Sequence, residues 1–437
     1  MRRKWIPTGM GLLSAALVVC ALVPAVGAVP QERPAPTPAE YNAYQAAANE
    51  RNPQQRVKLL DDFVAKFPNS TYLPYAYRVY YNTYSELRDY PKTVEYADRE
   101  LSFGDKLDLG TRLEALYIRA LAFHGSYNEK APDAKEQASR ERQAALEGLK
   151  VLNQLPKPQG VTDEQFAQNK KGPTALFNYT AGFASLQLKD YKDAIESFTA
   201  ALAANPNDAV TYFRMGVAYL QMNPPQHMDG FWSLARSVAL KGPGEAQVRS
   251  YLRNQLLRYQ QTGCDKLLDA QMSELLTLAA SSAERPASYK IPSAADLENA
   301  RKQAETENFI TVLKVGGDKA KLLWLGVCGL EFPEVVGKVL DVNADNSVVL
   351  KMFTGATQEE TEAGTTPNME VKLDGQPGAK RLQKDDYVRF SGTLVAYDPD
   401  PFVLHWEKAK VNPEDIPEEK AAPGKRPARR PTKKPGR

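Results

Sequence analysis

The chain has 437 residues, 43% hydrophobic and 25% charged, which is ordinary for folded protein and too long for one compact core. Two or three structural units are expected. The formal net charge is +3, but Arg2, Arg3, Lys4 and the Lys/Arg-rich residues 412–437 supply the excess. The remaining body is mildly acidic, and the basic character sits at the ends.

Residues 1–28 read as a secretion signal, cleaved or retained as an N-terminal anchor. Met1–Lys4 is basic, Gly9–Val23 is apolar, and Val26-Gly27-Ala28 places small residues at a cleavage site. The apolar run is short for a membrane-spanning helix. Basic residues ahead of it send the remainder across the membrane. The expected location is therefore exported, in the periplasm or cell envelope. Cys264 and Cys328 remain after cleavage. They could pair in an oxidising compartment, but the favoured reading is two unrelated structural cysteines.

Residues 29–39 (VPQERPAPTPA) form a Pro-rich linker. Helical periodicity then runs over residues 40–260. A first helix is expected near 40–49, and 54–68 carries Val57, Leu60, Phe63, Val64 and Phe67 on one face, stopped by Pro68. A second pair spans 74–107, with Asp89-Tyr90 at its turn. Its Tyr77, Tyr80, Tyr81 and Tyr84 fall at i, i+3, i+4, i+7, a stripe read as core. A third pair takes Arg112–His124 and about 133–152, after which Pro156, Pro158 and Gly160 break the array.

The window 175–208 (ALFNYTAGFASLQLKDYKDAIESFTAALAANPND) is the most specific. Gly182 and Ala194 allow close helix approach, Phe198 and Leu202 fill the gap, and Pro206 stops the second helix. With Asp190-Tyr191 at the turn and Ala201-Leu202 beyond, the window resembles a tetratricopeptide repeat, a 34-residue helix–turn–helix unit. A fifth pair over 209–242 keeps Tyr212, Met215-Gly216, Tyr219, Leu234 and Val238, with its turn lengthened at Asn223–Gln226. A helix at 245–260 would cover the end of the stack.

Residues 261–331 form a helical connector. Ser293 marks a helix start, and 309–327 stays open between a hairpin around Gly316-Gly317 and two buried helices. Residues 332–411 change texture, with five β-rich runs at 334–342, 347–353, 369–375, 387–397 and 402–411. Their count and rhythm are similar to an OB-fold, with Gly337 and Gly392 permitting curvature; an SH3-like barrel or open sheet is the alternative. Residues 412–437 read as a disordered, basic, Pro-rich tail. The expected fold class is thus mainly α, a TPR-type α-solenoid followed by a small OB-like β-barrel.

The chemistry-bearing residues are few. His124, His227 and His405 lie outside metal-ligand spacing, so no metal or cofactor is expected. No nucleophile elbow, P-loop, dinucleotide fingerprint or zincin motif occurs, and no enzyme activity is expected. Asp341-x-Asn343-x-Asp345 begins like an EF-hand loop, but Asn346 stands where Gly is needed and Met352 where Glu is needed. The tetratricopeptide resemblance implies that certain first-helix positions line a concave groove. These are Leu176, Tyr179, Phe183, Leu186 and Gln187, then Val210, Phe213, Val217, Leu220 and Gln221. An apolar peptide or amphipathic helix of another protein is the implied partner. Arg78 and Asn82 occupy positions used by repeats that clamp acidic C-termini, without a matching Asn in the next unit. The barrel aromatics Tyr387, Phe390, Tyr397, Phe402 and Trp406 would be candidates for stacking on single strands, but export and the lack of a basic groove make nucleic acid an unexpected partner. The alternative function is binding of an envelope polymer, glycan or anionic lipid surface through barrel and tail.

Overall fold

The computed structural model describes residues 37–344 and 347–418. The expected secretion signal, most of the expected Pro-rich linker, Asp345 and Asn346, and the expected tail beyond Glu418 lie outside the described residues. The chain divides into two compact units, Met1–Leu252 with Glu274–Tyr289, and Arg253–Ser273 with Lys290–Arg437. No described helix is long and apolar enough to cross a membrane.

The first unit is built from helix pairs: α1 (Pro38–Ala48) with α2 (Pro53–Lys66), α3 (Leu73–Glu86) with α4 (Tyr90–Leu101), α5 (Leu109–Ser126) with α6 (Ala134–Gln154), α7 (Asp163–Leu188) with α8 (Tyr191–Ala204), and α9 (Ala209–Gln221) with α10 (His227–Ala239). Local chemistry sets many of the starts. The side chains of Asn52, Asp89, Asp108 and Asp208 each accept a backbone N–H of the following first turn. Thr162 and Gln165 make a reciprocal capping box.

The pairs repeat in detail. Arg88 and Lys189 both adopt a left-handed backbone, with φ of 59° and 67°, between the two helices of their pair. Each is followed by Asp-Tyr, and the Asp89 and Asp190 amides donate to the Tyr84 and Ser185 carbonyls, both at 2.9 Å. A methyl on Gly182 would lie 2.7 Å from the Phe198 ring, and one on Gly216 would lie 2.8 Å from Leu234. The two pairs thus close on an equivalent glycine despite the longer turn of the fifth.

Two departures from the sequence reading concern the fourth pair. Its first helix begins at Asp163, well before the repeat window, and carries the buried Pro173 inside it. The Pro156–Gly160 segment interrupts the repeat rhythm but not the packing. Phe177 is fully buried and lies against Gly148 of α6. The tyrosine stripe packs as core: Tyr80, Tyr81 and Tyr84 are buried, and the Tyr80 ring stacks 4.0 Å from Tyr96.

Helices α11 (Glu245–Gln260) and α12 (Asp265–Ser281) follow. Within the first unit, the α12 end and the loop after it are tied to α10. Arg236 Nη1 donates to the Ala279 carbonyl at 2.6 Å and Trp232 Nε1 to the Ala283 carbonyl at 3.0 Å.

The second unit contains α13 (Ala294–Glu307), capped by Ser293, then α14 (Phe309–Val315) and α15 (Gly317–Val327). The open choice at 309–327 is therefore resolved as two helices. Gly316 and Gly317, at φ 77° and 78°, turn the chain between them rather than between strands. Ile310, Leu313, Ala320 and Leu323 join the barrel residues Leu350, Val371, Phe390 and Trp406 in one core. The strands are β1 (Glu331–Asn343), β2 (Val349–Phe353), β3 (Met369–Leu373), β4 (Tyr387–Pro399) and β5 (Phe402–Val411), with a short helix α16 (Gln358–Ala363) between β2 and β3. They close in the order β1-β2-β3-β5-β4, with β3 parallel to β5 and the other pairings antiparallel. This is the five-stranded OB-type arrangement. The β4–β5 register shifts across Ser391/Thr393, around Gly392. Cys264 and Cys328 are disulfide-bonded, contrary to the reading of two unrelated cysteines. Cys264 lies just before α12 and Cys328 just after α15, and their Cα atoms are 5.2 Å apart. Sequence separation concealed a proximity that only the fold creates.

Candidate functional site on the first helices of successive pairs

The candidate groove positions lie on α7 and α9, the first helices of the fourth and fifth pairs. Phe183 and Leu186 are buried, at 8% and 7% exposure. Leu176, Tyr179, Val210, Phe213, Val217 and Leu220 are half-buried. Several are partly occupied by the unit itself. Leu176 packs beside the cluster around Phe177, while Tyr179 and Val217 pack beside the cluster around Phe198. Leu220 lies against Gly230 of its own partner helix, and the Phe213 ring sits 6.2 Å from Tyr251 of α11. Gln187 is half-buried and Gln221 exposed. These side chains are apolar, and several of them are covered by packing within the unit.

What the sequence reading missed is the polar centre of this face. Tyr179 and Phe183 are four residues apart on α7, so they stack on one side of the helix. His124, near the end of α5, fits between them. Its ring lies 4.9 Å from Tyr179 and 5.1 Å from Phe183, and Nε2 is 3.0 Å from Thr180 Oγ1. Phe123 and Tyr127 close on the Phe183 ring edge-to-face, at 6.1 and 5.7 Å. From α9, the Arg214 guanidinium stands 5.0 Å over Phe183 and 5.5 Å from the Phe213 ring, as cation–π geometry requires. Its Nε is buried without a hydrogen-bond partner.

The electrostatics follow from this packing. Burial among the rings pushes the His124 pKa down to about 3, and the nearby Arg214 charge adds to the effect. His124 is therefore neutral at ordinary pH. Burial raises the Tyr179 hydroxyl, and Arg214 opposes that rise. The arrangement offers one fixed cation, neutral hydrogen-bonding groups and aromatic walls. It suits recognition rather than acid–base chemistry.

Arg78, the position that matches an acidic-C-terminus clamp, is already engaged. It lies 3.6 Å from Glu100 and 3.5 Å from Glu114, and donates to Thr111 at 2.8 Å. Asn82 is exposed. In the barrel, Phe390 and Trp406 are core residues at 1% and 2% exposure, so neither can stack on a ligand. Tyr387 is exposed, and Tyr397 and Phe402 are half-buried and 6.1 Å apart. His405 bridges Asp398 and Glu370 on the barrel surface, at 2.8 and 3.7 Å. Among the described residues no group of three His, Cys, Asp or Glu side chains could hold a metal ion. Of the EF-hand-like run, Asp345 and Asn346 lie outside the described residues. Comparison with protein-family models finds no match to this chain, and comparison with curated proteins finds none either.

Proposed function

We propose that this chain is a non-catalytic scaffold of tetratricopeptide type that acts in the cell envelope and holds an apolar peptide or short helix of another protein against α7 and α9. The observation that carries the reading is the row of half-buried apolar side chains Tyr179, Val210, Phe213 and Val217 on two successive first helices. They flank Arg214, which makes no ion pair among the described residues and stands over the Phe183 ring. A displayed random-peptide library selected on the full chain tests it. Selected peptides should be apolar, and Val217→Glu should weaken them at least about tenfold while the circular-dichroism melt is kept. Peptides indifferent to Val217→Glu would remove the groove from the proposal.

A second reading is favoured by one feature of the barrel. Tyr397 and Phe402 flank the β4–β5 turn, and Lys314 Nζ lies 5.2 Å over the Phe402 ring. The β4–β5 loop is a common ligand-binding edge of OB-type barrels. An envelope polymer or glycan held there should lose co-sedimentation with the protein when Tyr397 and Phe402 are both changed to Ala. Unchanged sedimentation would exclude the barrel edge.

A further inference from the structure

We propose that Arg214 is a specificity residue, which pairs with an Asp or Glu side-chain carboxylate of an otherwise apolar peptide lying along α7 and α9. The inference rests on the groove reading above and names the chemistry the groove selects.

The first argument is charge accounting. Other shielded arginines of this protein are matched by acids from the same chain. Arg78 meets Glu100 and Glu114, Arg119 meets Asp98 and Glu141, and Arg142 meets Asp190. Arg236 instead donates to the Ala279 carbonyl at the end of α12, where a cation is favourable. Arg214 makes no ion pair among the described residues. Its contacts are the two Phe rings and the Tyr179 hydroxyl, which accepts a hydrogen bond from it, while its Nε is a buried donor with no acceptor. Leaving a shielded cationic donor unmatched is costly, and an incoming carboxylate relieves that cost.

The second argument fixes the charge of the guest. One guanidinium balances one negative charge. His124 is held neutral by its burial, so it cannot add a second positive charge for a phosphate dianion. A monoanion with the planar fork of a carboxylate fits a guanidinium best.

The third argument fixes the source of the carboxylate. Val210 and Phe213 precede Arg214 on α9 and Val217 follows it, all half-buried. Apolar contact therefore continues on both sides of the cation. A peptide that uses both sides must pass over Arg214, which puts an internal side chain there rather than a chain end.

The test uses the full chain and five synthetic probes, read by fluorescence anisotropy of a labelled peptide and its displacement. The labelled probe is acetyl-Leu-Phe-Glu-Phe-Leu-amide. The others are its Gln counterpart, a Glu-free pentapeptide with a free C-terminal carboxylate, that pentapeptide amidated, and phenyl phosphate. The expected result is at least about tenfold tighter binding of the Glu peptide than of the Gln peptide, shrinking with added salt. Arg214→Met should erase the difference, and Arg214→Lys should restore part of it. Retention of the melt by Arg214→Met guards against simple misfolding; if that variant melts early, the wild-type Glu/Gln ratio and the Lys variant decide.

Equal binding of Glu and Gln peptides to the wild type would overturn the carboxylate site while leaving the groove intact, provided Val217→Glu weakens both. A C-terminal carboxylate binding more tightly than the internal Glu would overturn the internal source. Stronger displacement by phenyl phosphate would overturn the monoanion argument. Binding of no peptide at all would remove the groove and the site together.

Discussion

Gly182 faces Phe198 so closely that a methyl group on its Cα would sit 2.7 Å from the ring and 3.1 Å from the Ala194 carbonyl oxygen. The ring is fully buried and has nowhere to move. Gly182→Ala should therefore cost about 1–3 kcal/mol through overpacking, and Gly216→Ala, pressed against Leu234 and the Gly230 carbonyl, should behave alike. Urea unfolding followed by helical circular dichroism measures both. A neutral or stabilising effect at either position would mean that the two helix pairs do not close as described.

Lys189 should respond in the opposite direction. It holds φ 67° at the C-terminal end of α7, a region that costs a residue bearing a Cβ roughly 1 kcal/mol. Lys189→Gly removes that cost and is expected to raise stability by up to about 1 kcal/mol, the gain reduced by the greater freedom of Gly in the unfolded chain. The same experiment at Arg88, with φ 59°, should give the same sign. Thermal melts of the two variants check the equivalence of the second and fourth pairs.

Glu100 and Glu141 make stability depend on pH. Both are buried, at 0% and 1% exposure, and burial pushes each up to about 7 even though Arg78 and Arg119 pull the other way. The folded pKa lies above the ordinary glutamate value of 4.5, so the folded state binds more protons between those limits. Their contribution is fully present below about pH 4.5 and is lost as pH rises through about 7. Urea midpoints of the helical transition should fall from pH 5 to pH 8, and Glu100→Gln should flatten that slope. A slope of the opposite sign, or one unchanged in Glu100→Gln, would show that Glu100 is ionised throughout.

Reduction of Cys264–Cys328 should destabilise the second unit. The bond closes a segment of 64 residues in sequence separation, and chain entropy alone assigns such a closure about 4 kcal/mol. Near-ultraviolet circular dichroism of the barrel, where Trp406 is buried, should melt at lower temperature in reductant or in a Cys264→Ala/Cys328→Ala double variant. The Gly182→Ala effect on the helical unit should be the same with and without reductant. A melt insensitive to reductant would mean that the pair contributes no restraint.

The candidate site was only half legible before the fold was known. The tetratricopeptide resemblance implied Tyr179, Phe183, Phe213 and Val217 as groove positions on first helices, through their register within the repeat. It did not tell which of them are used up by packing. Phe183 and Leu186 turned out buried, and Leu220 turned out pressed on Gly230, because those outcomes depend on neighbouring helices. Arg214 left a faint trace, a charge between Phe213 and Met215 on an otherwise apolar helix. Its meaning appeared only when α5 brought His124, and α7 brought Phe183, to the same place.

The sequence by itself determined the elements. Helix starts such as Asn52, Asp89, Asp208 and Ser293, the β-rich runs after Leu330, and the close-packing Gly182 act within a few residues of where they stand. Hydrogen-bond capping and side-chain period are local effects, acting within the stretch of chain that carries them. The tertiary structure alone decided the pairing of Cys264 with Cys328, the choice of two helices over a hairpin around Gly316-Gly317, the closure of β3 beside β5, and the placing of Arg214 over the Phe183 ring. Each of these depends on which distant segments share a volume, and that is set by burying the whole apolar surface at once rather than by any one stretch of chain.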